Sequence, residues 1–343
     1  MTRSNSTDIS LPNGKQQPLV SIVLLNYNRP QFLQQALTSL LTQSYKNLQI
    51  TVVDNPSPSS PDVKNIVGKY PNVRVIWNDH NLGYTGGMNR GIEQANGDYL
   101  FLTEDDIVLE NDCISRLVDY MEGNSTAADL IAPMMYNKTA GTLRCAGGGF
   151  ELGGVYRFEI YGAGEEDTGQ YQEAFDVGYI AGAAMFAHRD FWQSYKGFRE
   201  EYFMYGEDIE LCARVNKRGQ RIAVLPQAMV YQFEPLEKSV SLDIQFHKIK
   251  NFFSIYLLHA PARVLPIFVV RYVLLNGMRT LAGQGGMPRR TFFRGLWWAV
   301  CKSPSLIRER LSQPLDSSKN SSSGPVEVMS PSPSPLSVNS SRR

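Results

Sequence analysis

Apolar runs of strand length alternate with helical patterns through the first third of the chain. Leu19 to Asn28, LVSIVLLNYN, predicts a buried strand, and from Pro30 the apolar positions Phe32, Leu33, Ala36, Leu37, Leu40 and Leu41 recur with helical spacing. LQITVVDN predicts a second strand ending at Asp54 and Asn55. PSPSSP then reads as a turn, Val63 to Lys69 as a helix, and VRVIWN as a third strand. NLGYTGGMNRGIEQANGD predicts a glycine-rich loop running into a short helix. YLFLTEDDIVL, Tyr99 to Leu109, predicts a strand covered on both faces that ends abruptly in three acids. This rhythm predicts a doubly wound α/β domain.

After about residue 110 the rhythm loosens. A helix to about Met121, a strand near DLIAPMM and hairpins in GTLRCAGGGFELGGVYRF are expected. A helix should start near Glu207, where acids favour a helix N-terminus, with Ile209, Leu211, Cys212 and Val215 facing inward and Gly219 as its stop. Beyond Ser241 come segments rich in Leu, Ile, Phe and Tyr. Arg263 and Arg271 interrupt them, and a bilayer span wants roughly 18 nearly charge-free residues. Two readings stay open: interfacial helices, with Arg279, Arg289, Arg290, Arg294, Trp297 and Trp298 at a membrane surface, or a helical cap packed on the α/β domain. The expected organisation is a disordered leader (1–18), the α/β domain (19–240), a helical region (241–311) and a disordered Ser/Pro-rich tail (312–343).

Composition changes this picture little. The formal net charge of +1 over 343 residues argues against a nucleic-acid binder held by a global basic field. Cys113, Cys145, Cys212 and Cys301 are scattered without a CxxC pair, so neither a zinc site nor a disulfide framework is indicated. The polar leader lacks the apolar core of a signal peptide, and a cytoplasmic location is expected.

The candidate chemistry begins at the acidic strand tip. Open α/β sheets bind ligands beyond the carboxyl ends of their strands, so Glu104, Asp105 and Asp106 stand where a ligand would. Crowded carboxylates repel unless a cation joins them, and hard oxygen donors suit Mg²⁺ or Mn²⁺. The alternative is a solvated turn with an Asp capping the next helix. Asp54 and Asn55 can accept from a base edge or ribose, or form an Asx turn before PSPSSP. Between Asn81 and Gly91, glycines including Gly83 and Gly87 let backbone approach a ligand, and Asn89 can bond to it; the GKS or GKT of a phosphate-binding P-loop is missing.

Taken together, SIVLLNYNRPQFLQQALTSLLTQ, ITVVDNPS, NLGYTGGMNRG, LFLTEDDIVL and GYIAGAAMFAHRDFWQSYKGFREEYFMYGEDIELCARV resemble a family 2 glycosyltransferase, nearest the rhamnosyltransferase-like branch, over most of Leu19 to Phe233. The resemblance implies the GT-A fold, a doubly wound mixed α/β sheet with C-terminal helices. It also implies inverting transfer of a sugar, rhamnose in that branch, from a nucleotide-sugar donor to a hydroxyl of a glycan or lipid-linked acceptor in cell-surface polysaccharide synthesis. Asn28 matches the residue beside the base. The metal-binding DxD motif falls on Thr103, Glu104 and Asp105, with Asp105 as metal ligand, Glu104 on the donor side and Thr103 replacing the first Asp. Gln232, in MVYQFEP, stands where the family has a metal-ligating His, and Glu234 is a candidate to compensate. The ED pair matches Glu207 and Asp208, with Asp208 as general base. The implied partners are the donor, the acceptor and a membrane surface, with work at the inner face of the cell membrane. Two other classes remain as alternatives: a non-catalytic nucleotide-sugar-binding protein and a nucleotidyltransferase.

Overall fold

The computed structural model describes residues 17–153, 156–233, 242–282 and 288–312. Of the expected disordered leader (1–18) and tail (312–343), only Gln17, Pro18 and Ser312 are described, Ser312 being the last residue of a helix; the rest lies outside the described residues, as does Glu234. In chain order the first elements are β1 (Val20–Asn26), α1 (Pro30–Leu41), β2 (Leu48–Asp54), α2 (Ser60–Val67), β3 (Arg74–Trp77), α3 (Gly83–Gln94), β4 (Tyr99–Glu104), β5 (Ile107–Leu109) and α4 (Cys113–Gly123). There follow β6 (Leu130–Asn137), β7 (Leu143–Cys145), β8 (Gly148–Leu152), β9 (Tyr156–Ile160), β10 (Phe175–Asp176), β11 (Ala184–His188), α5 (Arg189–Tyr195), α6 (Glu207–Lys217) and β12 (Ile222–Gln232). The C-terminal helices are α7 (Leu242–His259), α8 (Leu265–Arg271), α9 (Gly277–Leu281) and α10 (Arg289–Ser312).

Ten strands form a mixed sheet with the central order β10-β12-β6-β11-β4-β1-β2-β3, β5 pairing with β12 and β7 with β6. β1 runs parallel to β2 and β4, whereas β11 is antiparallel to both β4 and β6. Because successive strand residues face opposite sides, β1 feeds two cores. Ile22 and Leu24 pack with Leu33, Leu37 and Leu117 on one face, and Val23 and Leu25 with Met88, Trp192 and Leu211 on the other. Each such fully buried aliphatic side chain contributes roughly 1.5–3 kcal/mol.

The glycine-rich segment departs from expectation. The helix α3 begins at Gly83 and runs to Gln94, so Gly86, Gly87 and Gly91 lie inside it and not in a preceding loop. A Cβ on Gly91 would sit 2.1 Å from Val23 Cγ1, and one on Gly87 2.4 Å from Leu25 Cδ1. These glycines therefore let the helix backbone lie directly on β1, an advantage that outweighs their poor helix propensity of about 1 kcal/mol each.

The C-terminal helices are packed on one face, as the cap reading expects. One face of α7 and α10 is packed: Phe253, Tyr256, Phe268 and Ala299 share a core joined by Leu152 and Tyr156 of the β8–β9 hairpin. The other face of α8–α10 is solvent-exposed and apolar, with Val270, Met278 and Trp297 uncovered. Among the described residues no helix is long and apolar enough to cross a membrane.

Candidate active site

The parallel pairing of β1 with β4 sets Leu25 beside Glu104 and so brings the segment after β1 against the acidic tip. Asp105 N donates to Leu25 O at 3.0 Å, and Tyr27 N donates to Asp105 Oδ2 at 3.1 Å. Asp105 is fully buried. The Arg29 guanidinium lies among all three carboxylates, 3.5 Å from Glu104, 2.7 Å from Asp105 and 2.6 Å from Asp106. Burial alone would lower the Arg29 pKa, but Asp105, Asp106 and Glu104 hold it above its ordinary value. Burial pushes Asp105 up to about 8, against the pull of Arg29, and burial together with Asp106 pushes Glu104 up to about 7. The cation that the crowded acids require is thus supplied, in this arrangement, by the chain itself. Arg29 was passed over in the sequence; the signal available was its place directly after a strand parallel to the acidic one.

Gln232 also reaches this tip, because the end of β12 pairs with the start of β5, Gln232 opposite Ile107. Its Nε2 points toward Asp106 Oδ1 at 3.5 Å, and its Oε1 accepts from Arg144 Nε. Thr103 is fully buried in β4 opposite Ala184, its Oγ1 without a hydrogen-bond partner. Among the described residues no three His, Cys, Asp or Glu side chains converge into a metal cage. The donor set is nonetheless all oxygen, and Asp105 Oδ1 is buried, faces Arg29 and accepts no hydrogen bond. That chemistry fits a hard cation that takes most of its ligands from a bound diphosphate, as Mg²⁺ commonly does.

The second acidic group starts α6. Gly206, at φ 86°, turns the chain into the helix, and Glu207 and Asp208 follow with different surroundings. Asp208 Oδ2 accepts from Tyr179 Oη at 2.7 Å and from Gly182 N at 3.4 Å, and Oδ1 accepts from Ile209 N at 2.8 Å. Burial raises the Asp208 pKa while these donors oppose it. Glu207 is buried with Oε2 unpartnered, and burial reinforced by Asp208 raises its pKa well above the ordinary range. Asp208 thus has three donors that favour its ionised form while Glu207 Oε2 has none, an unlike pair of the kind that separates base from acid. Glu104 acts electrostatically on Glu207, and Glu104, Glu207 and Asp208 all act on Tyr84, so the acids of the strand tip and of the helix start lie close enough to influence one another.

The other candidate residues are held as follows. Asn28 is exposed at φ 58°, just beyond β1. Asp54 is buried at the end of β2, accepting from Asn26 Nδ2 at 2.6 Å and Ser60 Oγ at 3.0 Å. Asn55 Nδ2 donates to Gly83 O at 2.9 Å, and its Oδ1 accepts from Asn78 Nδ2 at 3.0 Å. Asn81 Oδ1 accepts from Gly83 N at 2.8 Å. Gly83 has φ +70°, and a Cβ there would sit 2.3 Å from Phe203 O. Asn89 Nδ2 donates to Phe198 O at 2.8 Å, and its Oδ1 accepts from Phe198 N at 2.9 Å. Asn55, Gly87 and Asn89 thus lock α3 to the sheet and to the segment before α6, while Asn81 holds the first N–H of α3. Arg214 pairs with Glu210 at 2.9 Å and donates to Tyr195 O and Gly197 O.

Two residues of α7 that the sequence did not single out hold the backbone leading into α6. Asn251 Nδ2 donates to Tyr202 O (2.9 Å), Met204 O (2.9 Å) and Tyr205 O (2.6 Å). Lys250 Nζ donates to Glu201 O and, at 3.3 Å, to Tyr202 O. Phe203 and Tyr205, within this segment, both have positive φ, at 63° and 65°. A backbone held there without glycine needs such fixed partners.

A family model described as glycosyl transferase family 2 matches residues 21–192. The chain is 23% identical over 217 residues to an uncharacterized glycosyltransferase of Haemophilus influenzae, covering 62% of this chain and 64% of that one. It is 25% identical over 232 residues to the N-acetylglucosaminyl-diphospho-decaprenol L-rhamnosyltransferase of Mycobacterium tuberculosis, covering 62% and 75%. Among solved structures it is similar to GalNAc-T7 with UDP, GalNAc and Mn²⁺, with a TM-score of 0.58, 13% identity and coverage of 83% and 58%. It is also similar to S. aureus TarS 1-349 in complex with UDP-GlcNAc, with a TM-score of 0.55, 14% identity and coverage of 85% and 83%. These likenesses show the GT-A fold. The chain spans 64% of the Haemophilus relative and 58% of the GalNAc-T7 chain.

Proposed function

The chain belongs to glycosyl transferase family 2, and from that premise and the two acidic groups we propose that it is an inverting glycosyltransferase acting on a nucleotide-sugar donor. The observation that carries the reading is the unlike pair at the start of α6, Asp208 with three donors that favour its ionised form beside Glu207, whose buried Oε2 has no partner. Asp208 takes the proton from an acceptor hydroxyl as its oxygen bonds to the anomeric carbon. The bond from that carbon to the diphosphate oxygen breaks, and the electron pair leaves with the diphosphate. No covalent intermediate is needed. Arg29, at the strand tip, puts a fixed positive charge where the leaving group gathers negative charge. Asp105, with Glu104 and Gln232 nearby, would hold Mg²⁺ or Mn²⁺, which supplies charge stabilisation to the departing diphosphate. Asn28 and Asp54, at the ends of neighbouring strands, would serve the base and ribose.

The finer reading follows from the mycobacterial relative, whose name specifies an L-rhamnosyltransferase and a decaprenol-linked substrate. The sugar is then rhamnose, the acceptor a glycan or lipid-linked hydroxyl, and the place of work the inner face of a cell membrane, in the making of cell-surface polysaccharide. The test is turnover of nucleotide sugars by the purified chain, with Asp208→Asn as control. Turnover with no donor, or equal turnover by the variant, would overturn the assignment.

A further inference from the structure

Most of the large apolar side chains that the described surface leaves exposed lie on α8–α10. On α10 the exposed residues Phe293, Trp297, Val300, Ile307 and Leu311 are separated by 4, 3, 7 and 4 positions, spacings that return to one face of an α-helix each time. Trp297 is 70% exposed and Leu311 79%. The opposite face of the same helix is buried through Phe292, Ala299 and Leu306. On α8 and the turns that follow, Ile267, Val270, Leu274 and Met278 form a second uncovered stripe. An exposed apolar surface of this extent marks an interaction site.

The charge pattern identifies the partner. Between Asp243 and Glu309 the chain has seven arginines and three lysines and no acid. Arg290, Arg294 and Arg308 are exposed on α10, within one turn of the apolar stripe, and Arg271 and Arg279 are exposed beside the second stripe. A second copy of the chain on this face would bring those arginines against their own equivalents, a like-charge arrangement that opposes association. An anionic phospholipid surface satisfies both halves of the pattern, with apolar side chains and an indole at the acyl boundary and guanidinium groups at the headgroups.

We propose that the outer face of α8–α10 lies flat on an anionic phospholipid bilayer. The proposal takes its purpose from the reading above, in which the acceptor is lipid-linked, but the binding needs no donor. The docked helix is also bolted to the site. Glu309, on the inward side of α10, makes a two-pronged pair with Arg199, at 2.5 and 2.9 Å, directly before the segment that leads to Glu207 and Asp208. A bilayer under α10 therefore sets the height of Glu207 and Asp208 above the membrane.

The test is flotation of the full chain with vesicles of phosphatidylcholine alone and of phosphatidylcholine mixed with phosphatidylglycerol. Binding to the mixed vesicles, at least about tenfold above neutral ones and weakened by salt, is expected. Phe293→Ser with Trp297→Ser should abolish it, and Arg290→Gln with Arg308→Gln should reduce it, both without loss of thermal stability because the replaced side chains are exposed. Absence of flotation, equal binding to both vesicle types, or a dimer in light scattering that Trp297→Ser dissolves would overturn the proposal. Flotation without turnover would leave the docking surface standing and remove the transferase reading, and turnover without flotation would do the reverse.

Discussion

Tyr179 donates its hydroxyl to Asp208 Oδ2 at 2.7 Å, which ties the carboxylate proposed as base to a residue outside its own helix. That hydrogen bond lowers the Asp208 pKa against the upward push of burial. Tyr179→Phe removes it, so the Asp208 pKa rises, and because the base works ionised, activity is lost at higher pH than in the wild type. The acid limb of kcat/KM against pH should move up by about half a unit to one unit. A limb that stays in place would place the titrating base elsewhere.

The two acids at the start of α6 should respond differently to amide replacement. Asp208→Asn preserves shape and removes the base, so turnover should fall on the order of 10²-fold or more while donor affinity is kept. Glu207→Gln replaces a carboxyl that burial pushes toward its neutral form with a neutral group of the same size, and should retain turnover within about tenfold. The check is steady-state kinetics beside donor binding by calorimetry. The reverse ranking would exchange the two roles.

With Arg29 standing among the carboxylates, free protein should bind divalent metal weakly. Calorimetric titration of Mg²⁺ or Mn²⁺ is expected to show little heat without nucleoside diphosphate and clear binding with it, and Asp105→Ala should lose that coupling. Full activity in excess chelator, matched by Asp105→Ala, would leave Arg29 as the sole positive partner of the leaving group.

Asn251→Ala removes the amide whose two N–H groups serve the carbonyls of Tyr202, Met204 and Tyr205. A loss of roughly 2–4 kcal/mol in stability is expected from chemical denaturation. If the segment also sets the aim of Asp208, kcat should drop about tenfold with donor affinity unchanged. An unchanged kcat at temperatures where the variant stays folded would mean that the segment keeps its shape without Asn251.

Lys250 provides a pH test. Burial lowers its pKa from 10.5 to about 8 in the native chain. Between those values the unfolded chain keeps the proton that the native chain has released, so stability rises with pH through the window, and below about 8 the native state bears the full penalty of the buried charge. The stability of the wild type relative to Lys250→Met should therefore climb by about 1 kcal/mol per pH unit above pH 8. Parallel curves for the two proteins would show that Lys250 titrates normally.

The strand–helix alternation up to β4 was legible because each element carries its own apolar period, and β1 and α1 appear within a residue or two of where the pattern places them. The start of α3 was not legible, since glycine ordinarily argues for a loop. Only the approach of Val23 and Leu25 explains why glycines are used in that helix. Arg29 and the acids it neutralises are separated by some 75 residues and meet only through the β1–β4 pairing, which a local pattern does not contain. Glu210 was hidden for the same reason: it sits beside the inward-facing Leu211 and is buried because Arg214 and the distant His259 supply its partners.

The place of β11 in the sheet has a consequence for how the chain is made. β4 has β1 on one side and β11 on the other, and β11 begins at Ala184, 80 residues after β4 ends at Glu104. The β1–β2–β3 half can assemble soon after it leaves the ribosome, but the free edge of β4 stays open until that later strand emerges. An unpaired, apolar edge is a template for wrong partners. The strand that delivers the acidic tip is therefore also exposed to mispairing during synthesis, and the yield of folded protein should depend on how quickly translation covers the stretch from 105 to 188.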